Sequence, residues 1–174
     1  MKGCYEQIGA FLQNPLEEQE IFEDGDVLVW VDWKECDEAT IDYFNEKLFP
    51  KDQITVTFET TTEARGVDIF LQHNGVKMRI PYHTDYTERD ITIKAMQQMM
   101  AEHYQIRWYM ESLGGDTLAF VVLTNDAWAQ LEATYGKAKV LHYFTPVTSA
   151  LKMFNMSMEE VEGLLAARAQ SNDA

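Results

Sequence analysis

The chain has 174 residues, 46% of them hydrophobic, with four Trp, eight Tyr and nine Phe and a formal net charge of −15. That composition supplies enough apolar surface to order one domain and excludes a disordered chain, while the charge repels phosphate backbones and anionic lipid. No stretch approaches the ~18 apolar residues of a membrane span, and Glu6 and Gln7 interrupt any signal-peptide core in MKGCYEQIGAFLQN, so a soluble cytoplasmic protein is expected.

The acidity is uneven. Residues 1–63 carry 16 acids against 4 bases, whereas residues 64–174 carry 13 against 10. A field concentrated in that first third speeds encounter with a cationic partner; a solvating surface is the plainer explanation of the same charge. Cys4 and Cys36 form neither a metal-ligand spacing nor a disulfide framework, which fits a reducing compartment.

In chain order, residues 3–13 read as a short helix with Tyr5, Ile8, Phe11 and Leu12 on one side, closed by Asn14-Pro15. An acidic connector, LEEQEIFEDGD, comes next. Residues 27–33 alternate as a strand, with Val27, Val29, Val31 and Trp33 on the expected core face and Leu28, Trp30 and Asp32 on the other. Asp37 is the expected N-cap of a helix over about 38–48, and Ile54, Val56 and Phe58 mark a strand with one wet face.

The sharpest local signal is residues 66–83, a hairpin about Asn74-Gly75, whose type I′ turn needs positive φ at both central residues. Pairing His73 with Val76 sets Leu71 opposite Met78 and Ile69 opposite Ile80 on one face, with Gln72–Lys77 and Phe70–Arg79 on the other. Thr87-x-x-Asp90 reads as a capping box for one long helix over about 87–112, whose stripe Met96, Met99, His103, Ile106, Met110 and Leu113 is expected to pack on the hairpin. A covered strand at 117–124, a helix at about 126–135 stopped by Gly136, a strand at 140–144 and a final helix capped by Ser157 and Glu160 complete the chain, with fraying at about 170–174. The expected fold is a single α+β domain over 1–174: an antiparallel meander or hairpin sheet packed against one long helix, with additional short helices.

Chemical motifs are scarce. His73 and His83 lie too far apart along the hairpin to share one ion, and His83-Thr84-Asp85 offers two ligands where zinc needs three or four. His103 and His142 sit among apolar residues and read as core histidines. Cys36 is surrounded by Glu35, Asp37 and Glu38, which disfavour a thiolate. Asp24-Gly25-Asp26 lacks the spacing of a calcium loop, and no nucleotide-binding glycine motif occurs. No cofactor, metal site or catalytic residue is therefore expected.

What remains is the acidic stretch. Glu23, Asp24, Asp26, Asp32, Glu35, Asp37 and Glu38 fall on a connector, a strand end and a helix first turn, with Trp30 among them. They are the expected partner-binding residues of a non-catalytic protein that docks a basic protein partner, as an immunity protein or antitoxin docks a toxin, or a chaperone a secreted effector. Nucleic acid and membranes are not expected partners. The alternatives are an enzyme, such as a metal-dependent hydrolase, with a site assembled from dispersed residues such as His83 and Asp85, or a structural subunit that self-associates, for example as a homodimer, through the Met-rich helix.

Overall fold

The computed structural model describes residues 2–83 and 85–172. They run α1 (Lys2–Gln13), α2 (Pro15–Glu23), β1 (Val29–Asp32), α3 (Asp37–Asn45), β2 (Thr55–Thr60), β3 (Val67–His73), β4 (Val76–Arg79), α4 (Arg89–Met100), β5 (Tyr104–Tyr109), β6 (Thr117–Thr124), α5 (Asn125–Tyr135), α6 (Lys137–Tyr143), β7 (Phe144–Pro146) and α7 (Met158–Asn172). Single 3₁₀ turns occupy Pro50–Asp52 and Met110–Ser112. The strands form two antiparallel sheets, β1-β6-β5-β7 and β2-β3-β4, giving the α+β class that the sequence implies.

β6 explains the layering. Its residues are apolar on both sides, and both sides are covered. Leu118, Phe120 and Val122 face a core built with Ile41 and Phe44 of α3, Ile93, Met96 and Met100 of α4, and Ile69 and Leu71 of β3. Ala119, Val121 and Leu123 face a second core built with Ile8, Phe11 and Leu12 of α1, Phe22 of α2, Trp128 and Leu131 of α5 and Val140 of α6. Phe11 anchors that second core through rings at 4.8 Å to Phe22 and 5.6 Å to Tyr109, contacts worth about 0.5–1.5 kcal/mol each beyond their burial.

The hairpin has the expected register: Phe70 pairs with Arg79, Leu71 with Met78, Gln72 with Lys77 and His73 with Val76. Asn74 and Gly75 have φ of 47° and 80°, as a type I′ turn demands. Gly136, at φ 89°, ends α5 as expected. At the foot of α7, Ser157 N–H donates to Glu160 at 2.8 Å and Glu160 N–H donates to Ser157 Oγ at 3.3 Å, the expected reciprocal cap. The fraying expected from about residue 170 is not found at 170–172, where α7 continues to Asn172; residues 173–174 lie outside the described residues.

Other expectations are corrected. The long helix over 87–112 is α4 followed by β5: the spacing that reads as a helical stripe is continued beyond Met100 by the alternation Tyr104, Ile106, Trp108, and a strand buried on both faces looks equally apolar on a helical wheel. Asn125 holds the turn between them, its side-chain amide donating to Ala101 O and Glu102 O at 3.1 and 3.2 Å. His103, expected in the core, therefore lies exposed in that turn. Residues 140–143 belong to α6, and only Phe144–Pro146 form the strand β7, antiparallel to β5.

The acidic connector contains α2, started by Pro15 at its first turn, where proline's missing N–H is no loss. Residues 46–48 fall beyond the end of α3, and the N-cap of α3 is Cys36, with Asp37 its first residue. Thr87 caps nothing; Glu88 is the N-cap of α4 and Asp90 is buried, accepting the backbone N–H groups of Met153 and Phe154 at 3.0 and 2.8 Å. A carboxylate within one turn of a helix start can serve any nearby amide, and here the segment after β7 supplies two.

Candidate functional site

β1 is the edge strand of the larger sheet. Trp33 N–H donates to Asp116 O at 3.2 Å, which fixes the alternation: Val31 and Val29 exchange bonds with Leu118 and Phe120, and the Trp30 backbone N–H and C=O point away from β6. No second strand pairs with β1 among the described residues. Trp30 lies opposite Ala119 at the sheet margin and stays 38% exposed.

Trp33 is 57% exposed, not the core residue that the alternation implies. Asp32 causes the difference. Its carboxylate accepts the Lys34 N–H at 2.7 Å and its carbonyl accepts Glu35 N–H at 3.0 Å, an Asx-type turn that ends β1 at Asp32, so that Trp33 keeps its bond to Asp116 O while its side chain stays in solvent. Lys34 Nζ then sits 5.3 Å from the Trp33 ring centroid.

The seven acids divide by burial. Asp24, Asp26 and Glu38 are exposed, with Asp26 receiving the Gln7 amide at 3.2 Å. Asp32 and Glu35 are half-buried; Glu35 Oε2 accepts the Tyr43 hydroxyl at 3.1 Å, and that bond, aided by the Glu35 charge, holds the phenol above its ordinary pKa of 10.0. Glu23 is half-buried too and accepts the Tyr109 hydroxyl at 3.0 Å; burial first and Glu23 second raise the Tyr109 pKa. Asp37 is only 4% exposed.

Asp37 therefore faces no solvent. The Thr92 hydroxyl of α4 donates to its Oδ1 and accepts from the Tyr82 hydroxyl at 2.9 Å, a chain of three groups that joins α3, α4 and the end of the hairpin. Burial, followed by the Asp37 charge, raises the Tyr82 pKa. Arg89 reaches back to the Glu35 carbonyl, tying the same corner together. The face presented outward thus consists of Asp24 and Asp26 ahead of β1, Trp30 and Asp32 on it, and Trp33, Glu35 and Glu38 beyond it, spread around a strand about 13 Å long.

The other expected ligands do not converge. Among the described residues, no three His, Cys, Asp or Glu side chains are grouped to hold a metal ion. His83 is exposed at the rim of a cavity beside α4, and Asp85 is exposed and does not line it. His142 is half-buried on α6, edge-on to Tyr143. Cys4 and Cys36 are free thiols.

A buried ion pair lies apart from both regions. Arg107 of β5 donates to Glu132 of α5 at 2.7 Å and stacks 4.2 Å from the Trp128 ring centroid. Burial lowers the Arg107 pKa and Glu132 opposes that shift; the link between β5 and α5 is the hydrogen bond to Glu132 and the contact with the Trp128 ring.

No family model, curated protein or solved structure matches the chain. Among the described residues, no helix is long and apolar enough to cross a membrane.

Proposed function

We propose that the chain is a non-catalytic binding protein whose β1 edge docks a basic protein partner, of the immunity-protein, antitoxin or effector-chaperone type. The observation that carries this reading is the pair of exposed indoles, Trp30 on an edge strand and Trp33 just past its end, bracketed by exposed carboxylates. Tryptophan is the side chain most enriched among residues that dominate binding energy, and its large flat surface suits an anchor. The surrounding carboxylates steer a cationic surface toward it and set its orientation. The outward Trp30 backbone groups add two hydrogen-bonding positions that an extended segment of the partner can use.

Less supports the self-association alternative, since Met96 and Met100 lie in the core and Met99 is partly buried against it. Capture from a lysate of the native host by the wild type and by the double variant Trp30→Ala, Asp32→Lys tests the docking role. The wild type should retain proteins of high isoelectric point at low salt and release them as ionic strength rises, while the variant retains none and keeps its melting temperature within a few degrees. Equal capture by both chains, or capture unaffected by salt, contradicts it.

A further inference from the structure

At the opposite edge of the same sheet lies a cavity of about 540 Å³, a volume typical of sites that hold small organic ligands. One wall is α4 and the residue that follows it, where Ile91, Ala95 and Ala101 supply apolar surface, and Val147, immediately after β7, supplies another. In a chain of net charge −15, none of the described lining residues is acidic, and the ionisable groups that reach the cavity are Lys94 and His83. Lys94 has neither an ion pair nor a hydrogen bond among the described residues.

The walls are fastened. The Gln97 side chain donates to Tyr104 O at 3.2 Å and accepts from Ile106 N–H at 2.5 Å, pinning α4 to β5. Val147 N–H donates to Ile106 O at 3.0 Å, and Asp90 grips Met153 and Phe154, so the strap carrying Thr148 and Ser149 is held at both ends. A site of this kind exists before its ligand arrives, which lowers the entropic cost of binding.

We propose that this cavity binds an amphipathic organic monoanion, a carboxylate set against the Lys94 ammonium with its apolar body along Ile91, Ala95 and Val147. Thr148 and Ser149 line the same space, and a hydroxyl can donate to the carboxylate as well. A neutral apolar ligand would leave Lys94 without a partner in a site of reduced polarity, and a cation would be repelled by it. The inference is independent of the docking role of the β1 edge, and each can fail alone.

Three probes test it: 4-phenylbutyrate, indole-3-butyrate and decanoate, titrated into the methyl-labelled full chain and followed by NMR. At least one should saturate at one equivalent and shift the methyls of Ile91, Ala95, Ala101 and Val147. Binding should weaken about tenfold or more in Lys94→Gln, the loss expected for a hydrogen bond to a charged group. On the wild type, the primary amide and the amine analogue of whichever acid binds should bind more weakly than that acid, a comparison that does not depend on the variant folding. No saturable binding by any probe, shifts that map elsewhere, unchanged affinity in Lys94→Gln, or an amine that binds as tightly as its acid would overturn the assignment.

Discussion

β1 and β7 bound one sheet at opposite edges, yet β1 leaves two indoles exposed among carboxylates whereas β7 continues into a strap that walls a cavity reached by Lys94 and His83. The difference arises in the segment that leaves each strand. After β1 the Asp32 turn throws the chain outward; after β7 the buried Asp90 draws it back over α4. One carboxylate that accepts local amides makes a surface, and another that accepts distant amides makes an enclosure. Charge counted along a sequence therefore says little about which acids face water.

The largest effect expected from breaking this contrast is at Asp90. Asp90→Ala leaves the Met153 and Phe154 amides without their acceptor in a buried setting, and urea unfolding should show a loss of about 3 kcal/mol. The variant should also lose binding of the acid that the wild type binds while retaining the basic partner, because the β1 edge does not depend on the strap. Loss of both functions in a chain that stays folded would join the two edges that the structure separates.

A smaller effect separates neighbours within the acidic stretch itself. Asp37→Ala should cost about 1 kcal/mol by the same measurement, since it removes the charged acceptor of the buried Thr92 hydroxyl and leaves that hydroxyl only the Glu88 carbonyl at 3.0 Å. Glu38→Ala, at an exposed position, should change stability by less than about 0.5 kcal/mol. Equal costs at the two positions would place Asp37 on the surface after all.

The smallest effect belongs to Asp68, remote from both edges, where pH supplies the test. Its hydrogen bond from Arg65 foremost, with the charges of Arg65 and Arg79, holds the carboxyl below its ordinary 3.8 against the opposing effect of burial. A lowered folded-state pKa means that the Asp68 contribution is complete above the unfolded value and is lost as pH falls through the folded one. Wild type and Asp68→Asn should differ in melting temperature near neutrality and converge as pH drops below 3.8. A gap that persists unchanged in acid would remove the ion pair as its cause.

How much of this was legible in the sequence depended on whether the deciding interaction was local. The hairpin register and the Ser157–Glu160 cap involve residues within a few positions of one another, and both were readable. The division of 87–112 into α4 and β5 was not, because a strand covered on both faces lacks the polar alternation that would distinguish it from a buried helix. The fate of Trp33 was set by the Asp32 turn, a local signal present in the sequence but outweighed by the regularity of Val27, Val29 and Val31. Asp37 and Asp90 each find their partners far along the chain, at separations of 55 and 63, and nothing local marks either as buried. The Lys94 cavity was invisible for the same reason: its walls come from the segment after the hairpin, from α4 and from the strap after β7.

The most direct measurement is site-specific photo-cross-linking in the native host, with p-benzoylphenylalanine replacing the exposed Lys34, next to the Trp33 anchor, in one strain and Ser149 in another. Recognition at the β1 edge predicts that position 34 yields adducts with a protein of high isoelectric point, and that position 149 does not. Absence of an adduct at position 34, or the same adduct in equal yield from both positions, would contradict it.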